Sequence, residues 1–205
     1  MAEDRPQLTL ITPPVVDLEL FPDRLARVMD RTPVAALRLA LAGSDEGDLG
    51  RIADTLRAVA HERDVAVVID THVGIAERHG LDGVHLLDSA RSVRAARKAL
   101  GADAIVGAYC GISRDAGLTA GEAGADYVTF GPAGDDPLAN GRRAGRDLFA
   151  WWSEMVEVPV VAEGALTEAV VADLAPVTDF FAVGPEIWAA DDPAEALARL
   201  VKAMG

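Results

Sequence analysis

The chain has 205 residues, 50% hydrophobic and 25% charged, enough for one sizeable core and short for two full domains. Nineteen Lys and Arg against thirty-three Asp and Glu leave a formal net charge of −14, which repels nucleic acid and anionic membranes alike. A single cysteine, Cys110, excludes an internal disulfide and a Cys-based zinc site and fits a reducing compartment.

In chain order the segment 1–6 is acidic, with no basic region ahead of an apolar one, and no stretch of about eighteen apolar residues follows anywhere. These features lead us to expect a soluble, cytoplasmic protein with no membrane partner. Short β-branched runs then predict strands at 8–11, 35–39, 66–69, 83–86, 105–108, 127–130, 160–162 and 180–183. Helical periods fill the gaps, as in Leu49, Ile52, Ala53, Leu56, Val59 and Ala60. The basic cluster Arg91, Arg94, Arg97 and Lys98 has helical spacing and reads as a solvated helix face rather than a nucleic-acid footprint.

Three segments share one grammar of helix end, turn and strand start: Gly80-Leu81-Asp82-Gly83-Val84, Gly101-Ala102-Asp103-Ala104-Ile105 and Gly124-Ala125-Asp126-Tyr127-Val128. Thr178-Asp179-Phe180 is a degenerate fourth copy. Glycine supplies a left-handed helix cap, and the Asp is expected to bond backbone within the turn. Asp192-Pro193-Ala194-Glu195 opens the last helix with a cap, a Pro at the first position and an acid at the third. Units of ~26 residues predict an α/β fold, one (β/α)8 TIM barrel over 1–205. A doubly wound open sheet is the alternative, but the first strand lacks a Gly-rich phosphate turn.

In such a barrel chemistry gathers where the strands end. Arg38 sits in an apolar strand, where a charge needs a partner, either an anionic ligand or the acids Asp70 and Glu163 at neighbouring strand ends. Asp70 and Glu163 are candidates for general acid or base, cation ligand or counter-ion to Arg38. Asp70 and Asp88, with Glu163, form the one metal set that can be assembled. His85, Asp88 and Tyr109 follow as ligand-binding candidates, with Gly131, Gly164 and Gly184 supplying backbone near a bound group. Pro185 removes one N–H there and Glu186 adds a negative charge, which a simple capping acid explains. Cys110 has no adjacent base and reads as an inert thiol. Lys98 and Lys202, the two lysines, fall on helices, away from Schiff-base chemistry. Trp151 and Trp152, beside Phe149 and Met155, either cover the barrel wall or face a second copy in a homodimer.

The order of Ala36-Leu37-Arg38, Val68-Ile69-Asp70-Thr71, Asp82-Gly83-Val84-His85-Leu86, Gly124-Ala125-Asp126-Tyr127-Val128-Thr129-Phe130-Gly131-Pro132 and Pro159-Val160-Val161-Ala162-Glu163-Gly164 resembles the thiamine phosphate synthase and thiazole tautomerase family over nearly the whole chain. The resemblance implies a (β/α)8 barrel and a transferase. That enzyme joins hydroxymethylpyrimidine diphosphate to thiazole phosphate with Mg²⁺ and expels pyrophosphate. Arg38 matches the family's diphosphate-binding arginine, while Ala36 and Ala40 stand for a glutamine and a lysine. Asp70 and Thr71 stand for an Asn-Asp pair, and Ala90 for the second metal aspartate. Tyr109 occupies a serine position, Gly111 the tautomerase histidine, and Glu163 the first glycine of a phosphate-binding pair. The loop Ala133-Gly134-Asp135-Asp136-Pro137 has acids in place of the family's threonines and lysine. Three readings follow. They are a synthase in thiamine metabolism, a non-catalytic barrel for a thiamine-related or other small ligand, and a diverged enzyme with Asp70 or Glu163 as base.

Overall fold

Each predicted strand forms, and the register of the ladders decides which of its side chains meet. The computed structural model describes residues 5–43 and 45–205, so the acidic start at 1–4 lies outside the described residues. The strands are β1 (Gln7–Ile11), β2 (Ala36–Leu39), β3 (Ala66–Asp70), β4 (Gly83–Leu86), β5 (Ile105–Tyr109), β6 (Tyr127–Phe130), β7 (Val160–Glu163) and β8 (Phe180–Val183). They pair in parallel in chain order and close into a barrel, β8 returning to β1. Helices cover it: α1 (Phe21–Arg31), α2 (Glu46–His61), α3 (Val73–Arg78), α4 (Val93–Leu100), α5 (Arg114–Glu122), α6 (Arg146–Met155), α7 (Glu168–Leu174), α8 (Pro185–Trp188) and α9 (Pro193–Ala203). No helix among the described residues is long and apolar enough to cross a membrane.

Side chains alternate between the two faces of a strand. Leu37, Leu39, Val67, Ile69, Val84, Val106, Val128, Phe130, Phe181 and Val183 point outward into one buried apolar shell under the helices. The opposite parity points into the lumen. There Arg38, His85 and Thr129 are buried polar residues, with Val68, Val161 and Ala182 as their apolar company. The ladders run one residue further than the apolar pattern does, because Asp70 still pairs with His85, Glu163 with Ala182, and Tyr109 with Thr129. These three side chains therefore have strand-fixed directions.

Asp82, Asp126 and Asp179 act across strands rather than within their own turns. Their main-chain N–H groups donate to the carbonyls of Val67, Val106 and Val160 at 2.8, 2.8 and 3.1 Å. Their carboxylates accept the N–H of the same valines at 2.6, 2.7 and 2.8 Å. Each acid thus clamps the start of the preceding strand, joining β3 to β4, β5 to β6 and β7 to β8. Asp103 makes no such bond: it lies two residues before β5, whereas Asp82, Asp126 and Asp179 each immediately precede their strands. Asp192 caps α9 as its sequence requires, accepting from Ala194 and Glu195 N–H. Arg97, read as solvated surface, instead ties α4 to Asp126 and to the carbonyls of Gly101, Ala102, Ala104 and Gly124.

On α6, Phe149 and Trp152 are fully buried, and Trp152 Nε1 donates to the Val158 carbonyl at 2.7 Å. Trp151 lies half-buried beneath the Arg114 guanidinium, 4.7 Å from the ring centre, and Met155 is exposed. Most of that aromatic face covers the barrel wall. The Asp clamps predict that Asp179→Ala, which strips Val160 N–H of its partner, lowers unfolding free energy by about 1–2 kcal/mol in urea melts. Asp103→Ala, with no bond to lose, is expected to stay within about 0.5 kcal/mol.

Candidate functional site

The centre of the barrel mouth is a three-residue ion cluster. Arg38 Nε and Nη2 donate to the two carboxylate oxygens of Asp70 at 2.6 and 3.2 Å, and Nη1 donates to Glu163 Oε2 at 2.5 Å. The side chains are 8%, 13% and 14% exposed, so solvent screens this cluster little. Asp70 uses both oxygens on one guanidinium, whereas Glu163 spends one and keeps Oε1 open. A guanidinium has five N–H donors, so one hydrogen remains on each terminal nitrogen.

Two acids sharing one cation set opposed electrostatic demands. Burial raises the Glu163 and Asp70 carboxyls above their ordinary range, against the pull of Arg38, and for Glu163 the Asp70 charge adds to the rise. Burial works against the Arg38 charge, but Glu163 and Asp70 outweigh it and its pKa rises.

Beside the cluster, His85 is fully buried and its Nδ1 meets the Tyr127 hydroxyl at 2.9 Å. The rings stack with centroids 5.6 Å apart because Gly107 between them has no side chain. Burial, helped by the Arg38 charge, lowers the His85 pKa well below its ordinary value, so the imidazole is neutral. His85 Nε2 and Thr129 Oγ1 are buried with no partner. Cys110 is buried too, and burial pushes its thiol up to about 12, which keeps it protonated and inert.

Tyr109 lies on the rim, its hydroxyl donating to the Gly131 carbonyl at 2.7 Å. Gly131 is required there, since a Cβ would come within 2.6 Å of the Glu163 carbonyl. Gly164, at φ +85°, sends its carbonyl to Gly134 N–H at 3.0 Å, zipping the loop after β6 to the end of β7. Gly184 N–H is already occupied: Glu186 Oε2 accepts it at 2.9 Å while Oε1 accepts Leu166 N–H at 3.1 Å. A carboxylate of this chain thus sits on two amides that an anionic ligand would need.

Asp88 is not brought into the cluster; its carboxylate accepts the Ser92 hydroxyl at 2.6 Å on an exposed loop. Among the described residues no three His, Cys, Asp or Glu side chains converge on a metal position, so Asp70, Asp88 and Glu163 do not form the set their strand positions suggest. Asp136 caps the short turn Pro137–Ala139 and Asp135 faces Arg143, so the loop acids are structural. That loop walls a cleft of about 320 Å³ with Tyr109, Ile112, Pro132, Leu138 and Arg142. Leu138 is 91% exposed there. Sequence parity alone could have found Tyr127, which faces inward on β6; nothing local could have found Leu166 as the second partner of Glu186.

The comparisons with known proteins agree with this framework. The family model described as thiamine monophosphate synthase matches residues 8–186. The thiamine-phosphate synthase of Rhodospirillum centenum is 39% identical over 191 residues, 89% of each chain. That of Erythrobacter litoralis is 37% identical over 195 residues, 92% of this chain and 91% of its own. Among solved structures, thiamine phosphate pyrophosphorylase from Pyrococcus furiosus superposes with a TM-score of 0.81 at 25% identity, covering 97% of this chain and 95% of its own.

The raised Glu163 carboxyl gives a pH prediction. In the folded chain Glu163 holds its proton at pH values where the unfolded chain has released it, so folding takes up a proton and stability falls as pH rises through that window. Glu163→Gln cannot ionise and is expected to lose this slope. Urea melts of both proteins from the ordinary glutamate pKa upward check it: wild type should lose stability relative to the variant with rising pH, and a flat or opposite difference contradicts the assignment.

Proposed function

The chain belongs to the thiamine monophosphate synthase family, and on that premise we propose that it serves thiamine metabolism by binding an unphosphorylated thiamine-related ring at the barrel mouth, without releasing pyrophosphate. The observation that carries this reading is the Arg38 cluster, in which a buried cation of the mouth is matched twice by acids of the same chain. A departing diphosphate needs preorganised positive charge or N–H donors aimed at it. Here Asp70 and Glu163 already occupy the guanidinium, and Glu186 occupies the amides of Gly184 and Leu166. A phosphate arriving at either place displaces a carboxylate or lies beside one.

Magnesium does not fit the residues present. It demands near-octahedral oxygen ligands, usually carboxylates. Asp70 spends both oxygens on Arg38, Asp88 stands apart on Ser92, and the positions that the resemblance assigns to metal aspartates hold Thr71 and Ala90. The cluster offers instead a donor beside an acceptor, namely the remaining Arg38 hydrogens and the open Glu163 Oε1. An aminopyrimidine edge presents the complement, a ring nitrogen that accepts beside an amino group that donates. The cleft along Tyr109, Ile112 and Pro132 is lined by neither Arg38 nor Glu163, and its Gly131 is the neighbour that packs on Glu163; it offers apolar surface on the adjoining rim, as small-molecule sites commonly do.

A second reading rests on the same open oxygen. A buried carboxylate with a raised pKa and a free lone pair is suited to take a proton from an unphosphorylated substrate. Asp70, bound through both oxygens, is less suited to that role than Glu163.

Purified protein with the pyrimidine diphosphate, thiazole phosphate and Mg²⁺, run beside an active synthase, is expected to release no pyrophosphate above blank. Calorimetry is expected to show the unphosphorylated aminopyrimidine alcohol binding more tightly than its diphosphate, and Glu163→Gln weakening it. Pyrophosphate release at a rate comparable to the control, or tighter binding of the diphosphate, overturns the proposal. Turnover of the unphosphorylated ring that Glu163→Gln abolishes, with binding retained, selects the second reading.

A further inference from the structure

Apolar side chains left in water are unevenly placed on this molecule. Among the described residues six large ones are exposed, and four of them, Val15, Leu20, Leu87 and Leu138, stand on loops that leave the C-terminal ends of strands, around the barrel mouth. Clustered apolar exposure of this kind marks an interaction surface more often than scattered exposure does. Two parts of the rim are complementary to each other.

The loop after β1 is a knob. Val15 and Leu20 are 79% and 69% exposed on it. The loop is held rather than slack: Pro13 and Pro14 restrict its backbone, Ala42 N–H donates to the Pro14 carbonyl at 2.7 Å, and Asp17 Oδ1 accepts Glu19 N–H at 2.9 Å. Presenting such a loop to a partner costs little ordering entropy. The cleft between the loops after β5 and β6 is a socket. Tyr109, Ile112, Pro132 and Leu138 wall its volume of about 320 Å³, with Arg142 on the lining. Asp17 and Glu19 on the knob and Arg142 on the socket are exposed, and none of the three belongs to an ion pair among the described residues.

The strands close in chain order, so β1 stands opposite β5, and knob and socket lie on opposite sides of the mouth. A two-fold axis lying across the mouth sets the knob of each copy on the socket of the other, and one complementary pair of surfaces is thereby used twice. The aromatic face of α6 offers a partner less, since Phe149 and Trp152 are fully buried and Trp151 lies beneath Arg114.

We propose that this rim is an interface with a second copy of the chain, mouth to mouth. Val15 and Leu20 enter the cleft walled by the partner's Tyr109, Ile112 and Leu138, and Asp17 and Glu19 meet the partner's Arg142. The net charge of −14 opposes self-association, but charges more than about 8 Å apart are largely screened at physiological ionic strength, so contacts at the rim decide. Each Arg38 cluster then opens into a space bounded by both chains.

Light scattering over a dilution series at physiological ionic strength reads the mass. Wild-type protein is expected to be dimeric when concentrated and to dissociate on dilution. Val15→Glu and Leu138→Glu, both at exposed positions, are expected to give monomers that still fold by circular dichroism. Arg142→Glu is expected to weaken the dimer about tenfold or more, because like charges then meet twice per dimer, and adding Glu19→Arg is expected to restore it. A monomer at every concentration up to about 1 mM, a dimer that Val15→Glu and Leu138→Glu leave intact, or an Arg142→Glu loss that Glu19→Arg does not reverse each overturns the proposal. No ligand enters these measurements, so their outcome is independent of what the mouth binds.

Discussion

One guanidinium held between two carboxylates organises this molecule. Taking an ion pair out of water costs several kcal/mol per ion in practice, and apolar residues of similar volume often pack as well or better. Arg38, Asp70 and Glu163 are therefore an expensive way to close a barrel mouth. The arrangement does something that aliphatic packing cannot. It fixes a planar donor at the top of the lumen with two hydrogens left over, beside one carboxylate oxygen left over. It also makes the mouth acidic on balance whenever both carboxyls are ionised. That sign is the physical ground on which an unphosphorylated guest is proposed.

The cluster depends on strand register, and register depends on acids at the other end of the barrel. The clamps of Asp82, Asp126 and Asp179 on Val67, Val106 and Val160 set which residue opposes which at the start of each pair. A slip of one residue would turn Asp70 and Glu163 outward into the apolar shell, where neither could reach Arg38. The lumen then follows from the same parity. With Arg38, Asp70, Glu163, His85 and Tyr127 all inward, its upper half is polar, and among the described residues only His85 Nε2 and Thr129 Oγ1 are buried there without a partner.

Much of this was legible in the sequence, and what was not has a physical reason. The eight strands, the left-handed glycines Gly80, Gly101 and Gly124, and the Asp192 cap are local features, and each is found where its own residues put it. Arg38 announced itself as a charge needing a partner, and both named partners are the ones it has. The role of the turn acids was misplaced because their bonds cross to another strand, and a sequence shows neighbours in the chain rather than neighbours in the sheet. Asp103 looks identical to Asp82 in sequence and does nothing comparable. Glu186 was readable as a capping acid, but its second partner Leu166 is 20 residues away in the chain. Asp88 shows the limit from the other side: a carboxylate after a strand end can face a serine on its own loop as easily as the barrel axis.

The framework strings and the chemistry of the mouth thus speak to different questions. Asp82-Gly83-Val84-His85-Leu86 and Gly124-Ala125-Asp126-Tyr127-Val128 build the barrel: the acids clamp strands, Gly83 admits the Ile105 backbone within 1.8 Å of where a Cβ would stand, and Tyr127 braces His85. The reading proposed for the mouth rests instead on charge at the strand ends, where Asp70 and Glu163 hold the Arg38 guanidinium and Glu186 holds the amides of Gly184 and Leu166. A fold held by clamps at one end of its strands leaves the other end free to change sign. That separation is what lets a fold and the chemistry of its site vary independently.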